Sequence, residues 1–303
     1  MSSSFLKHLM ILASLLLLCS ALAARAIVVF STYSAYHYIE VVDEGGVRTL
    51  SFNGSRETRM HRENPLQGHF EYTEYFHMPW LWNTNIKRVL MIGLGGGSTQ
   101  RSYQHYYTNV TVDSVELDPA VVNVAKTYFH VTETPAHRIH IQDGRIFLRR
   151  TTNVYDVILM DAYSTTRYGS SIPPHLTTKE FFTIARNHLS TNGVMAYNII
   201  GTVRDWNADF VGGLFRTMRE VFPQVYLFPA TESQNVVLLA TKSPERFDAT
   251  RVQKDGLALA RNKTVTLPTF TRRLQSFVNT PPPSASRSPV LTDDRAGVEG
   301  LLR

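Results

Sequence analysis

The sequence predicts an α/β fold, a methyltransferase-like Rossmann domain with a doubly wound sheet and a small N-terminal β-rich domain, on three observations. First, the apolar run Arg88–Ile92 passes directly into Gly93-Leu94-Gly95-Gly96-Gly97-Ser98. A continuous apolar run suits a parallel strand buried on both faces, and glycines let the chain turn tightly and bring bare N–H groups against a ligand beside the positive end of the next helix. Second, Thr111–Val115 reads as another strand, closing on Glu116. A carboxylate roughly 20 residues past such a turn can accept both hydroxyls of a ribose. Third, strands and helices alternate from Lys87 to about Lys242.

Taken in order, the chain divides into four stretches. In residues 1–26, Lys7 and His8 precede an apolar run, Leu9–Ala24, that ends in Ala21-Leu22-Ala23 and Ala24-Arg25-Ala26. This is the pattern of a secretory signal peptide. The run is short of the ~20 residues a spanning helix needs, and an uncleaved N-terminal anchor is the second reading. The expectation is an exported or membrane-anchored chain, with the cytoplasmic face open to the uncleaved form. Residues 27–83 form the β-rich domain. Tyr38–Val42 and Arg48–Phe52 are strands joined at Asp43-Glu44-Gly45-Gly46, Asn53-Gly54 makes a second turn, and Phe70–Trp82 is an aromatic amphipathic helix.

Residues 84–242 are the Rossmann domain. Beyond the first two strands it contains a helix over 119–129, a strand at Arg138–Ile141 leading to Gln142-Asp143-Gly144, and a buried strand at Asp156–Met160 ending on Asp161. A helix at Thr178–Leu189, a strand at Gly193–Tyr197, a helix at Asp209–Val221 and a closing pair, Val225–Phe228 with Val236–Ala240, complete it. Residues 243–303 are a polar extension with a flexible Pro281-Pro282-Pro283-Ser284 stretch.

Composition narrows the chemistry. With 303 residues, 43% hydrophobic and 18% charged, the chain has the makeup of an ordinary globular protein. The net charge of +6 comes with no dense Lys/Arg run, so no nucleic-acid partner is expected. The single cysteine, Cys19, lies in the N-terminal segment, and the histidines lack metal-ligand spacing. The expectation is no metal, no disulfide and no permanently bound cofactor.

In an open α/β sheet, ligands bind outside the carboxyl ends of the strands. Glu116, Asp143 and Asp161 all fall there. Glu116 would take the ribose, and Asp143, followed by Gly144, could accept from an adenine amine. Asp161 would face the reacting centre, where a carboxylate can take a proton from an amine or steady a sulfonium. The alternative for each is a helix or turn cap. The turn itself, with Gly93, Gly95 and Gly96 against the ligand, has Ser98 where an NAD fingerprint has its third glycine. That favours an S-adenosyl ligand over a dinucleotide.

These residues resemble the spermidine synthases. Ser34-Ala35-Tyr36-His37, the Ile92–Ser98 turn, Val115-Glu116-Leu117-Asp118, Gln142-Asp143-Gly144, Tyr155-Asp156-Val157-Ile158 and Asp161 occur in that family's order, with an echo at Leu291-Thr292-Asp293-Asp294. The resemblance is closest to the bacterial branch often fused to membrane segments. It implies aminopropyl transfer from an S-adenosyl donor, decarboxylated S-adenosylmethionine or S-adenosylmethionine, to a putrescine-like amine, with release of methylthioadenosine. It further implies Asp161 as catalytic base, Tyr72, His37 and Ser164 as substrate-binding residues, a lid over residues 165–177, and leaves a homodimer open.

The chain also departs from the family. Gly96 stands where the family has an aspartate for the donor's ammonium. Asp161-Ala162-Tyr163-Ser164 replaces Asp-Ser-Thr-Asp, and His37 and Thr73 replace a glutamine and a histidine. The second functional hypothesis is accordingly an S-adenosyl-nucleoside-binding protein of the cell envelope without polyamine synthase activity.

Overall fold

A computed structural model of the chain describes residues 25–166, 169–205 and 208–295. Four antiparallel strands, β1 (Ile27–Tyr33), β2 (Tyr38–Glu44), β3 (Val47–Phe52) and β4 (Ser55–His61), form the N-terminal sheet in sequence order. The β3–β4 turn has positive φ at Asn53 (48°) and Gly54 (86°), the combination whose twist matches the flanking strands. Ile39, Val41, Leu50, Phe52 and Met60 pack against Val121, Val124 and Phe129 of the next domain, so this sheet is seated on the Rossmann unit by a small core of its own.

The segment expected as an amphipathic helix is instead a 3-10 helix, Glu71–Leu81, in which every residue except Tyr72 is buried. Two of the buried residues are acids, and both are answered by Arg273 near the other end of the chain. Its Nη1 donates to Glu71 Oε1 at 2.7 Å and its Nε to Glu74. Burial alone would raise the pKa of Glu74, but hydrogen bonds from His69 and Arg273 hold it at about 2.

The central sheet is built from β5 (Arg88–Ile92), β6 (Thr111–Glu116), β7 (His137–Ile141), β8 (Tyr155–Met160), β11 (Leu189–Ile200), β12 (Gln224–Pro229) and β13 (Asn235–Thr241), with a small hairpin, β9 (Ser164–Thr166) and β10 (Gly169–Ser171), between β8 and β11. The order is β12-β13-β11-β8-β5-β6-β7, and β13 runs antiparallel to both neighbours. After β5 the chain builds outward through β6 and β7, then returns to lay β8 on the other side of β5. The strand order reverses there, which makes the crevice at the β5 and β8 tips the topological switch point.

Both faces of this sheet are covered. On one, Leu90, Ile92, Ile158 and Met160 pack under α4 (Lys179–Asn187) and α5 (Ala208–Arg219). On the other, Val89, Met91, Val157 and Leu159 pack under the 3-10 helix and the C-terminal segment. Three further helices, α1 (Ser98–Tyr106), α2 (Pro119–Tyr128) and α3 (Gly144–Arg150), follow β5, β6 and β7.

The expected polar extension is corrected by the structure, because residues 243–295 are folded. In α6 (Ala249–Arg261), Val252, Gly256 and Leu259 are buried, and α7 (Phe270–Arg273) buries Phe270. The proline stretch is not loose either. Pro283–Ser286 forms a 3-10 turn with Ser284 and Ala285 buried, and the Ser284 hydroxyl donates to the Ala208 carbonyl.

The expectation of export or membrane anchoring through the N-terminus is likewise not upheld. No helix among the described residues is long and apolar enough to cross a membrane, and residues 1–24, including Cys19, lie outside them.

Because Arg273 neutralises two buried carboxylates, Arg273→Met should destabilise the fold by about 3–5 kcal/mol in chemical denaturation. Adding Glu74→Gln to that variant should recover part of the loss.

Candidate active site

The crevice at the switch point opens into a cavity of about 170 Å³. His37, Tyr72, Gly93, Gly95 and Glu116 line it, as do Asp143, Gly144, Asp161 and Ser164. Only one expected site residue, Gly96, is turned away.

The glycine turn is fixed by contacts on every side. Gly93 has φ +95°, and a Cβ built on it would lie 2.1 Å from the Asp161 carbonyl oxygen. Gly93 N–H donates to Val115 O and Asp161 N–H to Ile92 O, each at 2.8 Å, so the tips of β6, β5 and β8 are tied together. Gly97, at φ +70°, is the N-cap of α1. Between them, Gly96 gives its N–H to Thr58 Oγ1 on β4 at 2.8 Å and its carbonyl to Arg101 Nη1. Arg101, which also donates to Phe129 O at 2.8 Å, is so buried that its pKa falls to about 10. The expectation that Gly96 contacts the ligand is therefore corrected. A Cβ there would meet Thr58 Cγ2 at 2.7 Å and Phe129 Cδ1 at 3.0 Å, leaving no room for the aspartate found in the family.

The three strand-tip acids are brought to one cavity in three different states. Glu116 accepts from Leu94 N–H on Oε2 and from Asp118 N–H on Oε1, both at 3.0 Å. Burial raises its pKa, opposed by those backbone hydrogen bonds. A carboxylate has about four acceptor sites, so these backbone bonds leave part of its acceptor capacity open to the cavity. Asp143 caps α3 through Ile146 N–H at 2.9 Å and meets His175 Nε2 at 2.8 Å. The His175 hydrogen bond is the main reason its pKa is lowered.

Asp161 is held at both oxygens. Asn198 Nδ2 donates to Oδ1 at 2.9 Å and Tyr72 OH to Oδ2 at 3.1 Å. Burial raises its pKa to about 7; the bonds from Asn198 and Tyr72 oppose the rise, and the charge of Glu57 adds to it.

Several functional candidates escaped sequence reasoning. Asn198 belongs to β11, which runs past the expected end at Tyr197; its own Oδ1 accepts from Asn235 Nδ2 at 3.0 Å, and its backbone carbonyl accepts from Tyr163 OH at 2.9 Å. A polar residue ending an apolar strand beside the other strand-tip acids was the available signal. Glu57 lines the same cavity from β4 and accepts from Ser170 Oγ of the β9–β10 hairpin at 3.2 Å. Nothing local marks it, and Ser170 comes from the other domain. Of the other two departures from the family, His37 lines the cavity with its ring stacked on Phe52 at 4.6 Å, and Thr73 lines it with its hydroxyl given to Phe70 O at 2.8 Å.

Fold and cavity together define a methyltransferase-like Rossmann protein with an acid-lined switch-point site. Residues 69–234 match the spermine/spermidine synthase domain. The chain is 30% identical over 258 residues to a polyamine aminopropyltransferase of Vibrio vulnificus, covering 80% of this chain and 83% of that one. It therefore belongs to the spermine/spermidine synthase family, and is a transferase by that membership. Spermidine synthase from Thermotoga maritima superposes with a TM-score of 0.61 at 23% identity, covering 82% of this chain and 87% of that one. Human methyltransferase-like protein 13, solved with SAH, superposes at 0.55 with 25% identity over 65% of this chain and 90% of that one. Family membership removes support from the reading as a binding protein without transferase activity.

Gly96→Asp, which would restore the family's acid, should destabilise the protein by about 1–3 kcal/mol in thermal or chemical denaturation. The double change Gly96→Asp with Thr58→Gly, which removes the nearest obstruction, should recover part of that loss.

Proposed function

We propose that the chain transfers the aminopropyl group of decarboxylated S-adenosylmethionine to an amine of the putrescine type, releasing methylthioadenosine. The observation that carries this reading is Asp161, a carboxylate facing the cavity with both oxygens oriented by Tyr72 and Asn198 and a pKa of about 7. Alkylammonium groups titrate near 10, and an ammonium has no lone pair with which to attack. Asp161 in its ionised form takes the proton. The free amine then attacks the aminopropyl carbon bonded to sulfur, the new C–N bond forms as the C–S bond breaks, and the electron pair remains on sulfur as the neutral thioether. A base poised near neutrality combines the correct protonation state with useful basicity.

The remaining residues divide the ligand between them. Glu116 accepts the ribose hydroxyls, the adenine lies toward Asp143 and Gly144, and Gly93 and Gly95 let the backbone pass close to the donor. On the amine side, Glu57 supplies the second negative charge that neither Gly96 nor Ser164 provides, with Tyr72, Ser164 and His37 around it. A dication buried with too few carboxylates is strongly disfavoured, so the amine lies between Asp161 and Glu57. Glu57→Gln should raise KM for the diamine by about tenfold or more, with a smaller effect on kcat.

Incubation with decarboxylated S-adenosylmethionine and putrescine should yield methylthioadenosine on chromatography; failure with a panel of di- and monoamines would sink the assignment. The pH dependence follows from Asp161. The rate should climb through about pH 7 as the carboxyl ionises. Stability moves the other way. A carboxyl whose folded pKa exceeds its unfolded value destabilises the fold when ionised; that cost is absent below the unfolded value near 4 and complete above about 7. Asp161→Asn should thus abolish turnover, spare methylthioadenosine affinity, and raise Tm at pH 8 more than at pH 4.

A further inference from the structure

The Leu291-Thr292-Asp293-Asp294 motif lies far along the chain from the site, yet it is bound to the cavity wall where Asp143 stands. Arg145, the second residue of α3, is buried and pairs with Asp293 through both prongs of its fork, Nη1 to Oδ1 at 2.7 Å and Nη2 to Oδ2 at 2.6 Å. The same Nη1 donates to the backbone carbonyl of His175 at 3.0 Å. His175 belongs to a 3-10 turn, Pro174–Leu176, and its ring meets Asp143. His175 and Leu176 line the cavity opposite Asp143 and Gly144. Asp293 is itself fixed. Its Oδ1 accepts from Oγ1 of Thr178, the N-cap of α4, at 2.7 Å, and its N–H donates to Glu180 Oε2 at 3.0 Å. Behind it, Leu291 is buried, accepts from Lys179 N–H at 2.9 Å and donates its own N–H to Thr217 Oγ1 at 3.0 Å.

We propose that Asp293 is a positioning residue for base selectivity: through Arg145 it holds the His175 turn against Asp143 and so shapes the end of the cavity that receives the adenine. The inference rests on the adenosyl-donor reading above, in which Asp143 accepts from the adenine amine. A bidentate arginine–carboxylate pair fixes direction as well as distance. A buried guanidinium that loses its counter-charge is strongly disfavoured where it stands, and the other carboxylates whose charge reaches Arg145 are Glu180 and Asp143. Without Asp293 the guanidinium turns to these, releases the His175 carbonyl and competes for the oxygens that take the base. Asp293 itself does not line the cavity, so its effect reaches the ligand through Arg145 and His175.

Calorimetric titration of the full chain with methylthioadenosine and with methylthioinosine, which has a carbonyl in place of the adenine amine, tests this. The wild-type chain should prefer the adenosine by about tenfold or more. Asp293→Ala should weaken methylthioadenosine about tenfold and shrink that preference to about threefold or less; Asp293→Asn, which keeps an acceptor for Thr178 but loses the charge, should fall between. In turnover, KM for the donor should rise by about the same factor while KM for the diamine stays within about twofold, a split that loss of folded protein would not give. With Arg145→Met already in place, Asp293→Ala should cost less than about twofold more, because the two residues act in series. Unchanged affinity and preference in Asp293→Ala, an equal loss for both nucleosides, or full additivity with Arg145→Met overturns the positioning role and leaves only a structural strap. A wild-type chain that binds both nucleosides equally overturns it as well. Failure of the wild-type chain to bind either nucleoside overturns the adenosyl reading itself.

Discussion

Where β5 and β8 end side by side, the Cα of Gly93 packs so closely on the Asp161 carbonyl that a methyl group would lie 2.1 Å from the oxygen. Two backbone hydrogen bonds, Gly93 N–H to Val115 O and Asp161 N–H to Ile92 O, lock that approach. The glycine turn and the loop carrying Asp161 are thereby joined by main-chain atoms. Their separation cannot drift with side-chain rotamers. Reactions of this kind depend on holding donor, acceptor and base within a fraction of an ångström, and a backbone contact at a topological switch point supplies that rigidity without any catalytic side chain being spent on it.

From that contact the site spreads in two directions with different materials. Toward β6 and β7, the work falls largely to backbone: Glu116 is anchored by the N–H groups of Leu94 and Asp118, and Asp143 by that of Ile146. Around Asp161, it falls to side chains from distant parts of the chain. Tyr72 comes from the 3-10 helix, Glu57 from the N-terminal sheet, and Asn198 from β11, backed by Asn235 of β13. The N-terminal sheet is therefore a wall of the cavity rather than an appendage, since Thr58 holds the glycine turn and Glu57 lines the cavity.

This difference in materials explains what could be read from the sequence. Strand-tip acids and glycine turns are local: Ile92 is followed by Gly93, Val115 by Glu116 and Met160 by Asp161, and the buried apolar run before each announces a strand. Glu57 and Arg101 carry no such signature, because what matters is which element of another layer they meet. The misreadings have the same origin. The 3-10 helix was expected to show a polar face, but Glu71 and Glu74 are buried polar residues whose counter-charge, Arg273, lies some 200 residues away in sequence. In residues 243–295 the apolar positions are sparse, and prolines suggest a loop; Val252, Gly256 and Leu259 nonetheless make one buried helical stripe that closes the second face of the sheet.

A site divided in this way separates fold from specificity. The β5–β8 contact and the backbone-held acids are consequences of sheet topology, so they persist as long as the sheet does. The opposite wall consists of a few side chains, and the departures at Gly96 and Ser164 leave fewer carboxylates there than the family has, without touching the core. Gly96 shows how tightly such a change can be embedded: Thr58 and Phe129 fill the space above it, so an acid at that position must displace both side chains. Glu57, on the strand that carries Thr58, lies one residue from the obstruction. Crowding at the glycine turn and an acid facing the cavity are thus adjacent features of β4.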